Sequence, residues 1–245
     1  MDRLIYTAMT GAKHILEQQS TTAHNLANAT STGFKAQVDS FRAVPVISEG
    51  LPTRAFVVDA TVGADFNAGA IQSTGRDLDV AIQGKGWLVV QRADGSEGYT
   101  RNGSLKVSEN GILQTATGHN VMGDGGPISI PPDVAISIAK DGTISSVEIG
   151  TIPGPSNIIG RLKLVNPSEN ELKRAGDGMF VTSTGTAEVD INVNVVSGAL
   201  ESSNVNVVDA MVTMISLARQ FETQMKLIQN AENNANKASQ LLSMS

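Results

Sequence analysis

The chain has no cysteine, which excludes disulfides, thiol chemistry and thiolate metal sites. Aromatic residues make up only 4% of it, with a single tryptophan, Trp87, so a core must be built from Val, Ile, Leu and Ala. Basic charge is scarce: 18 Lys and Arg stand against 24 Asp and Glu, a net charge of −6, and no basic cluster occurs. A nucleic-acid footprint is therefore missing, and an anionic membrane surface would repel the chain. No apolar run approaches the roughly 18 residues needed to span a bilayer, so no direct membrane insertion is expected. Met1 opens straight into an amphipathic segment, without the basic and apolar regions of a secretory leader. Any passage out of the cytoplasm is expected to use another export route.

What is present falls into three zones of different period. From Asp2 to about Ala29, Ile5, Ala8, Ala12, Ile15 and Leu26 recur at steps of three and four, with Gln19 and Thr22 filling the same steps. This is one stripe of a helix. Asn28, Thr30, Ser31, Thr32 and Gly33 supply its stop. From about Asn204 to Met244 the alternation returns over Met211, Met214, Ala218, Phe221, Met225, Ile228, Ala235 and Leu242, interrupted by Glu232 and Ser239. That segment holds no Pro or Gly, and Asp209 near its start favours the helix dipole. Forty helical residues would extend roughly 60 Å, and heptad spacing over several repeats predicts a coiled-coil seam.

Between the ends lie short apolar or alternating runs: Phe56–Val62, Leu78–Ile82, Trp87–Gln91, Ile128–Ile130, Val134–Ile138, Thr143–Ile149 and Ile158–Val165. Asp94-Gly95, Asn102-Gly103, Asn110-Gly111, Asp124-Gly125 and Asp141-Gly142 separate many of them and predict tight hairpins. The pattern fits a sandwich, a barrel or an irregular roll. The expected fold is α+β: a discontinuous coiled-coil domain of N- and C-terminal helices with an inserted antiparallel β-rich domain. Its expected parts are 1–36 and 204–245 for the helical assembly domain, 37–70 and 183–203 for an extended connecting region, and 71–182 for the β-rich domain.

Narrow apolar stripes need partners, because uncovered apolar surface favours association by about 25 cal/mol per Å². An ordinary α+β protein whose end helices pack on its own sheet would show the same periodicity. Residues beside the stripes separate these readings. Ala23-His24-Asn25-Leu26-Ala27-Asn28-Ala29-Thr30-Ser31-Thr32-Gly33-Phe34-Lys35 resembles the N-terminal signature of flagellar axial proteins, with His24 where that signature has its first Asn. Leu78-Asp79-Val80-Ala81-Ile82-Gln83-Gly84-Lys85-Gly86-Trp87, followed by Gly98-Tyr99-Thr100-Arg101-Asn102-Gly103, is similar to a block of rod and hook subunits. Gly198-Ala199-Leu200-Glu201-Ser202-Ser203-Asn204-Val205 resembles that family's lead-in to its last helix.

These motifs, in order and spread over most of the chain, identify it by resemblance as a member of the flagellar rod–hook family. Within the family, Met1–Ala12 and Ala218-Arg219-Gln220-Phe221-Glu222 look most like a proximal-rod subunit. A distal-rod or hook-type subunit is the alternative, and an exported β-fold hydrolase or adhesin a more distant one. The resemblance implies export by the flagellar type III apparatus and assembly in the periplasm with copies of itself and other rod proteins. It also implies terminal helices that line a hollow, torque-transmitting shaft.

No enzyme and no cofactor is expected. His14, His24 and His119 are scattered, with only Glu17 as an acidic neighbour of the first. Asp77 and Asp79 lie beside Arg76, and a salt-bridged loop is the expected role of such a pair over glycosidase chemistry. Gly123-Asp124-Gly125-Gly126 is followed by Pro127 and a strand, with no Lys and no helix to cradle phosphate.

Overall fold

The computed structural model describes residues 2–45, 55–148, 156–183 and 185–243. Pro52, Ile149 and the terminal Met244 and Ser245, which figure in the sequence reading, lie outside them, as does the side chain of Leu242. The chain divides into two compact units. One comprises Met1–Ala29, Gln37–Asp65 and Val205–Ser245; the other comprises Thr30–Ala36 and Phe66–Asn204. N- and C-terminal helices thus flank a large antiparallel β-rich region, as the sequence predicts in outline.

The first unit contains helix α1 (Asp2–Ala27), helix α2 (Val207–Ser243) and a long antiparallel pair, β1 (Gln37–Pro45) with β2 (Ala55–Ala64). The register of that pair shifts between Ser40 and Phe41, a bulge that bends it. This antiparallel pair lies within residues 37–70, the range expected to be extended and connecting. α1 packs along α2 and also touches the arm: Thr21 Oγ1 donates to Asp39 Oδ1 at 2.9 Å, and the His14 ring meets Phe41 edge-on at 5.6 Å. α2 begins after Asn206, whose Oδ1 accepts the Val208 amide at 3.0 Å and so satisfies one of the free donors of the first turn.

In the second unit every strand pairing is antiparallel. The main sheet runs in the order 172–174, 180–182, 97–100, 87–91, 120–123, 113–115, 105–107, with 126–127 paired to 120–123 and 164–165 paired to 87–91. Strands 134–138, 143–148 and 157–161 form a separate meander. Strand 80–83 pairs with 194–197, and strand 71–73 with 199–201. The central strand, Trp87–Gln91, is apolar at successive positions because both its faces are covered. Leu88 and Val90 point into the main core with Val80, Ile82, Leu105, Leu113, Val121, Ile144, Leu162 and Leu164. Trp87 packs on the opposite face against Phe66 and Phe180, with ring centroids 5.8 and 4.8 Å away.

The turn pairs behave unequally. Asp94-Gly95, Asn110-Gly111 and Asp141-Gly142 close hairpins, with the glycine at positive φ. At 124–126 positive φ falls on Gly126, one residue later than the predicted pair. Asn102-Gly103 closes no hairpin. Its glycine is there for space: a Cβ would lie 1.7 Å from the Val80 carbonyl oxygen.

Candidate functional site: the helix seams and the buried corner

The stripe predicted on α1 is the covered one. Ala8, Ala12 and Ile15 are buried and Ile5 and Leu26 half-buried, with Gln19 and Thr22 continuing the line. Gly11 faces Gln224 of α2, whose side chain stands 3.5 Å from where a Cβ would lie, an ordinary contact distance.

On α2 the covered positions are Ala210, Met214, Leu217, Phe221, Gln224, Ile228, Ala231 and Ala235, an unbroken four-three alternation. Every second step lies one residue before the predicted stripe. Met214, Phe221, Ile228 and Ala235 are shared, Ala218 is half-buried, and Met211 and Met225 stay 49% and 39% exposed in the single chain. Hydrophobicity favours the methionines; close helix packing selects the smaller Ala210 and Ala231 beside Leu217. A second line of apolar side chains is open to solvent on each helix: Tyr6, Met9 and Leu16 on α1, and Val208, Val212 and Ile215 on α2.

The corner after α1 is tied down by its asparagines. Asn28 caps the helix end, its Nδ2 donating to the His24 carbonyl at 2.9 Å. Asn25 reaches further: its Nδ2 donates to the Gln37 carbonyl and its Oδ1 accepts the Gln37 amide, both at 2.8 Å. That side chain imitates a strand neighbour for the first residue of β1. Asn25→Ala is expected to cost about 1–2 kcal/mol by unpairing both backbone groups. Faster exchange of the Gln37 amide checks it; unchanged protection there would refute this role. Leu26 is half-buried beside it and Ala27 exposed.

Residues 30–36 are seated in the β-rich unit. Gly33 has φ +66°, its amide donates to the Glu201 carbonyl at 2.7 Å, and a Cβ would meet the Arg101 carbonyl carbon at 2.3 Å. Asn204 clasps the same segment: its Oδ1 accepts the Ala36 amide at 2.7 Å and its Nδ2 donates to the Asn67 carbonyl at 3.1 Å.

Beneath these backbone contacts lies a buried charge cluster that motif spacing does not reveal. Lys35 Nζ donates to Glu201 Oε1 at 2.6 Å and to the Asn67 carbonyl at 2.8 Å. Arg101 Nη1 donates to Glu201 Oε2 at 2.9 Å, and its Nη2 to the Gly84 carbonyl at 2.7 Å. The Gly69 amide adds a third donor to Glu201 at 2.9 Å. Lys35 and Glu201 are 1% exposed and Arg101 5%, so one carboxylate holds two cations out of water. Rings and guanidinium groups alternate next to it. Arg174 lies between Phe34 and Phe180 at 4.9 and 5.0 Å and donates to the Lys35 carbonyl; Arg101 lies over Trp87 at 5.4 Å. Burial lowers the pKa of the Arg174 guanidinium, and the two ring faces offset the lost hydration.

The remaining motif residues serve this frame. Tyr99 is fully buried between Val89 and Phe180 in register. Thr100 Oγ1 accepts the Asn102 amide at 3.0 Å. Gly86 faces Val193, whose side chain leaves no room for a Cβ. Leu78 packs on the main core, Leu200 and Val205 are half-buried, and Ser203 is buried. Asp79 accepts from Thr74 Oγ1 at 2.8 Å and its carbonyl accepts the Gly198 amide at 2.8 Å, and its Oδ1 forms an ion pair with Arg76 Nε at 3.6 Å. With its carboxylate bound into a turn, Asp79 is structural. His14 pairs with Glu17 at 2.9 Å on α1. Among the described residues no group of three or more His, Asp or Glu is placed to hold a metal ion, and no helix is long and apolar enough to cross a membrane.

Helix seams with apolar flanks and glycines fitted to backbone describe a structural assembly subunit. The family description "Flagellar hook protein FlgE/F/G D1 domain" matches residues 81–146, and "Flagellar basal body rod FlgEFG protein C-terminal" matches residues 192–241. The chain is 50% identical over 252 residues to the flagellar basal-body rod protein FlgF of Salmonella typhimurium (strain LT2) and to that of Escherichia coli (strain K12), covering 100% of each chain. A FlgF from Buchnera aphidicola of Schizaphis graminum is 32% identical, with 100% of this chain and 99% of the relative covered. The chain belongs to the flagellar basal-body rod protein family, as a structural subunit of the FlgF-like type and not an enzyme.

Proposed function

We propose that the protein is a proximal-rod subunit that polymerises through its terminal helices with copies of itself and with other rod proteins. The observation that carries this reading is the second apolar line on each helix. Tyr6, Met9 and Leu16, and Val208, Val212 and Ile215, remain open after α1 and α2 have packed on each other. Subunits that cover such lines on one another head-to-tail, without closing a ring, build a helical polymer. Met211 and Met225, exposed in the single chain, border the same surface and belong to it in this reading.

In the assembled subunit, residues 1–36 and 204–245 carry the contacts as a coiled-coil layer, 37–70 and 183–203 connect, and 71–182 form the β-rich domain. The helices line a hollow drive shaft in the periplasm that transmits torque and passes exported subunits. Delivery in this reading is by the flagellar type III apparatus. A distal-rod or hook-type place in the shaft is the alternative.

Electron microscopy of basal bodies from a strain lacking the gene tests the reading. Assembly is expected to stop at the base of the rod and to resume on complementation. A complete proximal rod in the deletion strain would refute it, and a rod that halts only near its outer end would favour the distal alternative.

A further inference from the structure

We propose that the cluster of Lys35, Glu201 and Arg101 is a coincidence lock: it fixes the chain segments 30–36 and 199–204 to the β-rich unit together, whether or not the helices are ordered. Three observations carry this. All of the lock's partners, Asn67, Gly69, Gly84 and Arg174 included, belong to the β-rich unit, as do residues 30–36 themselves. The two segments also bond each other directly, Gly33 to Glu201 and Ala36 to Asn204. And a single buried carboxylate, Glu201, is shared by two buried cations, Lys35 and Arg101.

Loss of the Glu201 segment takes from Lys35 and Arg101 the carboxylate to which both donate. Loss of the Lys35 segment removes one of the two cations and uncovers the other. Breaking a buried pair by removing one member is strongly destabilising, because the partner's desolvation is left unmatched. Each segment is thus held mainly when the other is seated, and the chain enters and leaves its helices from two neighbouring fixed points.

Lys35 is itself a trypsin site, sealed at 1% exposure, whereas Lys13, Arg219, Lys226 and Lys237 on the helices are exposed. Trypsin digestion of the full chain, read by mass spectrometry, is expected to cut the helices while leaving Lys35-Ala36 intact. Glu201→Gln keeps the side chain's size but cannot accept from both cations. It is expected to speed cleavage at Lys35 about a hundred-fold, the scale set by breaking a buried ion pair, and to change the emission of Trp87, which stacks on Arg101. Equal cleavage at Lys35 in both proteins would overturn the lock.

A second variant keeps the test decisive if Glu201→Gln does not fold. Leu217→Asp breaks the seam of α2 far from the lock in sequence. Protection of Lys35 is expected to be unchanged although helical circular dichroism falls. Loss of protection at Lys35 in step with the helices would show that the segments depend on helix order, and the proposal would fail.

Discussion

Gly103→Ala is expected to destabilise the β-rich unit strongly and to lower its urea midpoint well below that of the parent. The added methyl would occupy a point 1.7 Å from the Val80 carbonyl oxygen and 2.7 Å from its carbon, both backbone atoms. Neither can turn aside as a side chain would. The approach is locked on both sides: the Val80 amide donates to the Gly103 carbonyl at 2.9 Å, the Leu105 amide to the Leu78 carbonyl at 3.2 Å, and Asp79 pairs with Ser104 between them. Relief requires breaking that ladder at its junction with the main core, where Val80 and Leu105 are buried. Overpacking a well-filled site costs about 1–3 kcal/mol and more where only backbone can move, against a total stability of about 5–15 kcal/mol. Urea denaturation followed by Trp87 emission reads it directly. Gly125→Ala is the control: nothing lies within 4 Å of its added carbon, and a change within about 0.5 kcal/mol is expected. Similar midpoints for the two variants would refute the packing argument.

Leu217→Asp is expected to abolish motility when it replaces the natural gene, with the β-rich unit still folded. Leu217 is 5% exposed at the centre of the α2 seam. Aspartate there loses about 2–5 kcal/mol of core packing and brings in a carboxylate without a partner. Met211→Asp separates folding from assembly. That side chain is half exposed in the single chain, so helix stability should change by less than about 0.5 kcal/mol. Motility should nevertheless be lost, because Met211 borders the apolar line proposed to meet a neighbouring subunit. Normal swimming with Met211→Asp would remove that face from the proposal while leaving the fold untouched.

The helices were readable because period is a property of sequence alone. Ile5, Ala8, Ala12 and Ile15 form the more regular of two apolar lines on the first helix, and it is the one turned inward. The second helix carries two adjacent apolar lines, and the choice between Met211 and Ala210, or Met225 and Gln224, depends on how closely the helices approach, which no single helix records. Hairpins were legible where a turn pair joined two strands of one ladder, as at Asp94-Gly95. Asn102-Gly103 has the same composition, yet its glycine answers to Val80, more than twenty positions away in the chain.

The buried charges were the least visible part. Lys35 and Arg101 read as ordinary polar residues beside motif glycines, and their shared anion is distant from both. A trace did exist. Strand 199–201 alternates so that Ala199 and Glu201 face inward, and a carboxylate on an inward position calls for a cation. Which cation answers is a matter of tertiary structure.

The seam of α1 has one further consequence. Its covered residues near the start are Ala8 and Ala12 with Gly11 between them, side chains that barely extend beyond the backbone. Helices that meet over methyl groups lie closer than helices that meet over leucines. In a polymer built by repetition, every subunit inherits the same separation, so a small displacement recurs around the whole circumference and alters the curvature at which the wall closes. The alanines of this helix are, in the assembly proposed above, a gauge for diameter: enlarging one would strain the seam and change the bore of the shaft.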